Sequence, residues 1–430
     1  MKTTGIIAEY NPFHSGHLYQ MQEARRLSGA DYIIVVMSPD FVQRGAPALI
    51  DKWARAEMAL KAGADLVLEL PVRYATRSAE YFAHGGVSLL SSLGIVDALS
   101  FGCEIQDITP LEEYARFLCQ EEPEEYRRIL LNALKEGKSF AEARYCAYLA
   151  VSSETDTSGR ILTSPNNILA VEYLKAVSMT GSRMQPVPVK RVGAGYHDRV
   201  ILGGSGVNDS GHASASGIRS ALLSGIEIRE HIPAPAYDLL QDEMSAGRYL
   251  TLSDLDLPLR LKLIEAGGAL SGFLDVSDDL ANRISHLLRQ YTGFEQFTAL
   301  LKTKQIAYTA VSRALLHILL GLRKEKYTCA GSRKYTEKDA GNRRDKTGAG
   351  TGIPFPSYAR VLGFSASARP LLAEIKKKAR IPLITKLPPE SQTSGYLLED
   401  VQAADLWELL VSHKTGAPAR NERQRRIVKV

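Results

Sequence analysis

Two histidines three residues apart, His14 and His17, stand in the stretch Ala8-Glu9-Tyr10-Asn11-Pro12-Phe13-His14-Ser15-Gly16-His17. A neutral imidazole donates one hydrogen bond, so two rings aimed at one group can stabilise negative charge that grows there. Spacing of three on a helix brings both rings to the same side. Gly16 between them lets a ligand approach the backbone closely. The apolar run Gly5–Ala8 precedes this stretch, and a helical pattern starts at His17. The loop therefore opens a helix, where unpaired backbone N–H groups and the helix dipole hold phosphate. This arrangement suits nucleotidyl transfer, in which charge develops on an α-phosphate. From spacing alone two other readings stay open: ordinary loop histidines, or a pair of metal ligands. No third ligand accompanies them. Cys103, Cys119, Cys146 and Cys329 form no Cys-x-x-Cys pair, so no metal site is expected.

Alternating elements must carry that loop. Gly5–Ala8, Asp31–Met37, Asp65–Glu69 and Asp97–Phe101 read as strands. Between them, His17–Leu27, Lys52–Ala62 and Ser78–Leu93 read as helices. Asp31–Met37 is a continuous β-branched run of the kind found in parallel strands buried on both faces. The rhythm predicts an α/β fold, a Rossmann-like doubly wound parallel sheet. Such sheets bind ligands at the carboxyl ends of their strands. Residues 111–152 read as a helical insertion over the sheet, Val187–Val192 as a further strand, and 203–216 as a Gly/Ser-rich loop.

The break Ile232-Pro233-Ala234-Pro235 ends this pattern, which places a domain boundary near residue 230. Residues 231–430 read as mainly helical, with a polar, Gly-, Lys- and Arg-rich loop at 324–352. Such a composition predicts an exposed flexible segment. The whole chain of 430 residues nets +5, and its last 17 residues hold six basic residues and one acid. Together these two segments carry more positive charge than the chain nets, so the remainder is mildly acidic. With 45% hydrophobic and 23% charged residues, disorder and rod-like folds are excluded. No apolar run approaches the ~18 residues of a membrane span, and the N-terminal one is too short for a secretion signal. A cytoplasmic protein with reduced thiols is expected.

The His-x-Gly-His loop resembles the signature of the nucleotidyltransferase superfamily, the adenylyltransferases related to class I aminoacyl-tRNA synthetases. Ser214-Ala215-Ser216-Gly217-Ile218-Arg219 resembles that superfamily's late Ser-x-[Ser/Thr]-x-[Ile/Leu]-Arg motif. The longer run Gly5–His17 is similar to the opening of the bacterial tRNA(Met) cytidine acetate ligase family. Further similar blocks follow in order: Met37–Gly45, Ser100–Glu104, Ser164–Leu169, Lys190–Asp198 and Tyr358–Phe364. The resemblance implies a nucleotidyltransferase-type sheet with an ATP site. It gives that site Ile7, Ala8, Glu9, Tyr10, Asn11, Pro12, Phe13, His14, Ser15, Gly16, His17, Leu18, Tyr19 and Gln20. Gly102, one of Asn166 and Asn167, and Arg191 complete it, while Ser214, Ser216 and Arg219 hold the outer phosphates. His14 and His17 are the catalytic pair. Implied substrates are ATP with magnesium, acetate, and elongator tRNA(Met), whose wobble cytidine becomes N4-acetylcytidine.

Away from the resemblance, Asn166 and Asn167 could equally cap the helix at Ile168. Glu9 and Asp40 are acid–base candidates by position, and Gln43-Arg44-Gly45 is a loop candidate for acetate or cytidine contact. For a tRNA surface the basic segments 324–346 and 420–429 are the candidates, with Tyr327 and Tyr335 available for base stacking and Arg313 and His317 extending the patch. One departure stands out. The family segment rich in aromatic residues and arginine reads here Lys302-Thr303-Lys304-Gln305-Ile306-Ala307-Tyr308-Thr309-Ala310-Val311-Ser312-Arg313, with several positions small or neutral. Two rival readings are a small-molecule adenylyltransferase and a non-enzymatic RNA-binding protein with a vestigial nucleotide site.

Overall fold

Because Tyr32-Ile33-Ile34-Val35-Val36-Met37 has no polar alternate position, a strand built from it needs cover on both faces. In the computed structural model, which describes residues 1–120, 122–152, 164–191, 213–324 and 353–430, that cover exists. Strand β1 spans Thr3–Ala8 and leads through the histidine loop into helix α1, Ser15–Ser28. Then come β2 (Tyr32–Met37), a small hairpin of β3 (Phe41–Val42) and β4 (Ala46–Pro47), and helix α2 (Lys52–Lys61). Strand β5 (Leu66–Glu69), short α3 (Val72–Ala75), α4 (Ala79–Ser92) and β6 (Ala98–Cys103) follow. The expected helical insertion is α5 (Thr109–Phe117), α6 (Glu124–Lys135) and α7 (Phe140–Val151). Helix α8 (Pro165–Met179), strand β7 (Gln185–Lys190) and α9 (Ala215–Leu223) complete the first half.

Strands β5, β2, β1, β6 and β7 lie side by side, all parallel. The chain adds strands to one side of β1 and then returns to the other. The reversal of order falls at β1, so the loop leaving its carboxyl end opens at the topological switch point. Ile34 and Val36 pack with α4 and α8 residues on one face, while Ile33, Val35 and Met37 pack with those of α1 and α2 on the other. The expectation of a doubly wound sheet is met.

Beyond residue 230 the structure is mostly helical, as expected. Helices α10 (Ala234–Ser245), α11 (Asp256–Ala266), α12 (Asp278–Leu287), α13 (Phe294–Leu301) and α14 (Tyr308–Leu320) come first. A separate core of Leu259, Phe294, Phe297, Leu315 and Trp407 holds most of them. Three strands then return to the sheet. Strand β8 (Ala359–Phe364) pairs antiparallel with β5, and β9 (Leu383–Ile384) and β10 (Val428–Lys429) flank β8. Helices α15 (Arg369–Lys378) and α16 (Gly395–Thr415) lie between these strands. The sheet thus draws residues from both sides of position 230.

Charge explains this return. Lys52 is wholly buried, and its Nζ lies 2.7 Å from Glu69, 2.7 Å from Glu422 and 3.4 Å from Asp40. Arg360 of β8 reaches Glu69 at 3.0 Å and Glu422 at 2.7 Å. Two cations and three carboxylates therefore meet under β5 and β8. Asp40, an acid–base candidate by position, belongs to this structural cluster and is 3% exposed. Its carboxylate is engaged by Lys52, accepting from the Lys52 backbone N–H at 2.8 Å.

The basic tail is likewise corrected. Arg420 pairs with Asp51 at 2.9 Å and Glu408 at 2.8 Å, and Arg425 pairs with Asp51 at 3.0 Å. Arg423 donates to the Pro388 carbonyl at 2.7 Å, and Lys414 meets Asp254 at 3.2 Å. Of the six basic residues in the last 17, only Arg426 and Lys429 stay exposed without an ion pair among the described residues. The tail is folded against the body and is not a free basic arm. Segment 325–352, with Tyr327 and Tyr335, lies outside the described residues.

Candidate active site

The histidine loop is fastened from three directions. Arg55, wholly buried on α2, donates to the carbonyls of Glu9 (2.7 Å), Ser38 (3.1 Å) and Pro39 (2.5 Å). Asn11 accepts from Leu49 N–H at 2.8 Å through its side chain, and from Arg219 at 2.6 Å through its carbonyl. Glu9 Oε1 accepts from Gln43 N–H at 2.9 Å. Tyr10 takes a left-handed φ of 49°, a strained conformation for a bulky residue that its surroundings must impose. Arg55 was not picked out by sequence reading. A lone Arg inside a helical pattern carries no signal of its own.

Within the loop, side chains divide between core and cleft. Ile7, Tyr10 and Phe13 are buried in the two cores that sandwich the sheet, which leaves only their backbone to face a ligand. His14 is the N-cap of α1: Gly16 N–H donates to its Nδ1 at 3.1 Å. His14 N–H in turn donates to His17 Nδ1 at 3.3 Å. The rings stack with centroids 3.7 Å apart. Both Nδ1 atoms accept hydrogen bonds, so each neutral ring carries its proton on Nε2. The helix start thereby presents two preset Nε2–H donors. Burial among Tyr10, Phe13 and His14, together with the charge of Arg191, pushes the His17 pKa down to about 3. It donates as a neutral group at physiological pH.

Arg191 brings the second group of candidates to the same place. Its backbone N–H donates to Cys103 O at 3.0 Å at the end of β6, and its Nη1 donates to Asn166 Oδ1 at 3.2 Å. Glu104 joins them, accepting from Asn166 at 2.5 Å. The two asparagines separate here. Asn167 is 1% exposed and accepts from Glu104 N–H at 2.9 Å, a structural task. Asn166 is half-exposed beside Arg191. Neither caps the helix; Ser164 does, accepting from Asn167 N–H at 3.2 Å. Gly102 has room: a Cβ there would meet only the Arg191 stem, at 3.6 and 3.8 Å. Backbone strain and core packing therefore leave the glycine unexplained, and a ligand lying against the strand end would explain it.

Ser214 caps α9, accepting from Gly217 N–H at 3.1 Å, and its hydroxyl lies 3.1 Å from Ser216 Oγ. Arg219 turns inward and grips the histidine loop at Asn11 rather than projecting outward. Gln43-Arg44-Gly45 forms the tip of the β3–β4 hairpin, a feature the sequence reading left as loop. Gly45 needs its left-handed φ of 75°, and any Cβ would strike the Arg313 and Ser312 backbone of α14 at 2.5 Å. His317 is a correction. It is wholly buried between Thr76 O (3.0 Å) and Leu274 O (3.2 Å), with its pKa pushed down to about 4 by burial, so it adds no charge to any surface. Among the described residues no cluster of three or more His, Cys, Asp or Glu could hold a metal ion.

A doubly wound sheet whose switch-point loop presents two neutral imidazole donors at a helix start defines a nucleotidyl transferase. The chain does belong to that class: the family model described as HIGH nucleotidyl transferase matches residues 1–339 and 344–422. More narrowly, it belongs to the tRNA(Met) cytidine acetate ligase family. The protein of that name from Acetivibrio thermocellus is 35% identical over the whole of both chains. The one from Caldanaerobacter subterraneus is 38% identical over 95% of each. Crystal structures of Thermotoga maritima TmcAL, 31% identical, superpose with TM-scores of 0.83 for the apo form and 0.81 for the form bound with alpha-thio ATP. The first covers 100% of both chains, the second 100% of this chain and 99% of its own. No helix among the described residues is long and apolar enough to cross a membrane.

Proposed function

We propose that this protein activates acetate with ATP and passes the acetyl group to the wobble cytidine of elongator tRNA(Met), giving N4-acetylcytidine. One observation carries the reading: the stacked pair His14 and His17 at the start of α1, whose Nδ1 atoms accept from backbone N–H groups, so that each ring carries its proton on Nε2, the donor that would serve an α-phosphate. An acetate oxygen attacks the α-phosphorus, and the bond to pyrophosphate breaks. Positioning and charge stabilisation drive this step, with no protein nucleophile. The cytidine amine then attacks the acetyl carbonyl, AMP leaves, and the amine gives up a proton. Arg191, Asn166 and Gly102 would line the nucleotide, Ser214 and Ser216 the outer phosphates, and magnesium would arrive with ATP. In this reading residues 1–230 hold the adenylation chemistry and the later helices receive the tRNA. In this reading the protein works in the cytoplasm, beside its tRNA substrate.

The test is to supply ATP, labelled acetate and bulk tRNA together and singly. Label should reach tRNA only when all three are present. Pyrophosphate release with some other acceptor, and no label in tRNA, would favour a small-molecule adenylyltransferase. Absence of any nucleotide turnover would leave an RNA-binding protein.

Gly102→Ala tests the nucleotide position. Its Cβ finds ordinary contacts in the protein, so stability should stay within about 0.5 kcal/mol. ATP affinity should fall roughly tenfold, about 1.4 kcal/mol. Unaltered ATP affinity would remove Gly102 from the site.

A further inference from the structure

Beside the hairpin tip lie two arginines that the adenylation chemistry does not use. Arg313 follows Ser312 on α14, and the Ser312 hydroxyl donates to Gly45 O at 2.9 Å. Its side chain is half-buried, its Nε is shut away from solvent without a hydrogen-bond partner, and no ion pair engages it among the described residues. Burial pushes its pKa down, the charge of Arg77 adds to that, and Asp275 opposes. Arg77, just beyond α3, lies over the Tyr81 ring at 3.2 Å and meets Asp275 at 3.1 Å. Its Nε is also buried and unpartnered.

Arg77 thus takes the Asp275 carboxylate as its ion pair, and Arg313 feels that charge only at longer range. His317, 3.6 Å from Asp275, is neutral and cannot alter that balance. Asp275 sits at a left-handed φ of 56°, a conformation Asp tolerates better than most residues. A half-buried cation without a partner is costly, and a neighbouring like charge makes it more so. Guanidinium forks that the fold leaves unsatisfied fit phosphate oxygens well.

Position decides which phosphate. Gly45 contacts the backbone of Arg313, and two residues earlier Gln43 N–H holds Glu9 of the histidine loop. Arg44 stands between them; burial pushes the Arg219 pKa down, Glu9 opposes, and the charge of Arg44 adds to the fall. Positive charge therefore continues from the nucleotide loop, along the hairpin, to α14 and Arg77. A line of charge matches an extended polyanion better than a single small ion. We propose that Arg77 and Arg313 bind successive phosphodiesters of the acceptor RNA and hold it against the hairpin, so that the target base reaches the nucleotide loop. The proposal rests on the reading that RNA is the acetyl acceptor.

The experiment is tRNA binding to the full-length protein over a range of salt concentrations. Arg77→Gln, Arg313→Gln and the double variant are compared with wild type. Each substitution should flatten the slope of log K against log salt by about 0.7 to 0.9, and the double variant by about twice that. Arg313→Lys should restore most of the slope. ATP affinity should not change. The melting temperature of Arg313→Gln should hold or rise, because the charge removed has no partner in the fold. A double variant with wild-type slope overturns the proposal. So does a slope lost together with a collapse in melting temperature that Arg313→Lys fails to repair. If wild type itself shows no salt-dependent tRNA affinity, the acetyl-transfer reading falls as well.

Discussion

Replacing His17 by Ala should lower acetate-dependent adenylation about 10²- to 10³-fold, the cost of losing one preset donor to a transition-state oxyanion. The reason is geometric. His17 Nδ1 is engaged by His14 N–H at 3.3 Å, so its remaining donor is fixed in direction before any ligand arrives. The variant loses that donor and also the cap on the His14 backbone. Affinity for tRNA should hardly change, since no residue of the basic line from Arg44 to Arg77 is touched. A parallel loss of tRNA binding would sink this division of labour. Because the folded ring titrates near 3, the adenylation rate should show no ionisation of His17 between pH 5 and 8.

The same depressed pKa has a consequence for stability. An unfolded histidine takes up its proton near pH 6.5, whereas His17 in the fold resists until about 3. The unfolded state then binds more protons in this window, so stability is full above about pH 6.5 and falls as the pH drops toward 3. Burial also holds His84 and His317 down, each to about 4, and they act in the same direction. The melting temperature should decline between pH 7 and 5.

Lys52→Ala should cost about 3–5 kcal/mol of unfolding free energy, the penalty for stranding a buried counter-charge. Lys52 is fully buried among Asp40, Glu69 and Glu422; Arg360 shares Glu69 and Glu422, and the charge of Arg55 acts on Asp40. Burial already lifts the Asp40 pKa to about 6 against the pull of Lys52. Burial also acts on Glu422, but there Lys52 and Arg360 prevail and bring its pKa down to about 2. Without Lys52, Glu69 and Glu422 would keep only the Arg360 guanidinium as an ion-pair partner among the described residues, and Asp40 would lose its ion pair. Some must take up protons, and the segment around Glu422 should detach from the sheet edge. Denaturant unfolding would measure the loss, and amide exchange should show residues 420–430 opening first. A cost below about 1 kcal/mol would mean that water or Arg360 replaces the ammonium.

Much of the site was legible in the residues. The histidine pair, the glycine and the strand–loop–helix order follow from local rules, because a helix start exposes its own N–H groups wherever it occurs. Asn166 and Asn167 could not be told apart that way. Their difference depends on Glu104, some 60 residues earlier, whose N–H takes Asn167 and whose carboxylate takes Asn166. His317 misled for a related reason. On a helical wheel it shares a face with Arg313, yet that face is roofed by Thr76 and Leu274 from distant segments. The basic tail misled because the acids that neutralise it, Asp51 and Glu408, are remote in sequence.

By itself, the sequence determined the strand and helix alternation, the place of the histidine loop at the end of the first strand, and the class of chemistry that such a loop supports. Those properties come from periodicity and from bonds that span a few residues. Tertiary structure alone decided which charges are spent and which remain available. Asp40 and His317 were taken into the interior and Arg420 was paired with Asp51 and Glu408, while Arg77 and Arg313 were left without full partners. A side chain's charge is fixed by its type, but its partners are fixed by what the fold brings within a few ångströms, and that pairing is not local in the chain.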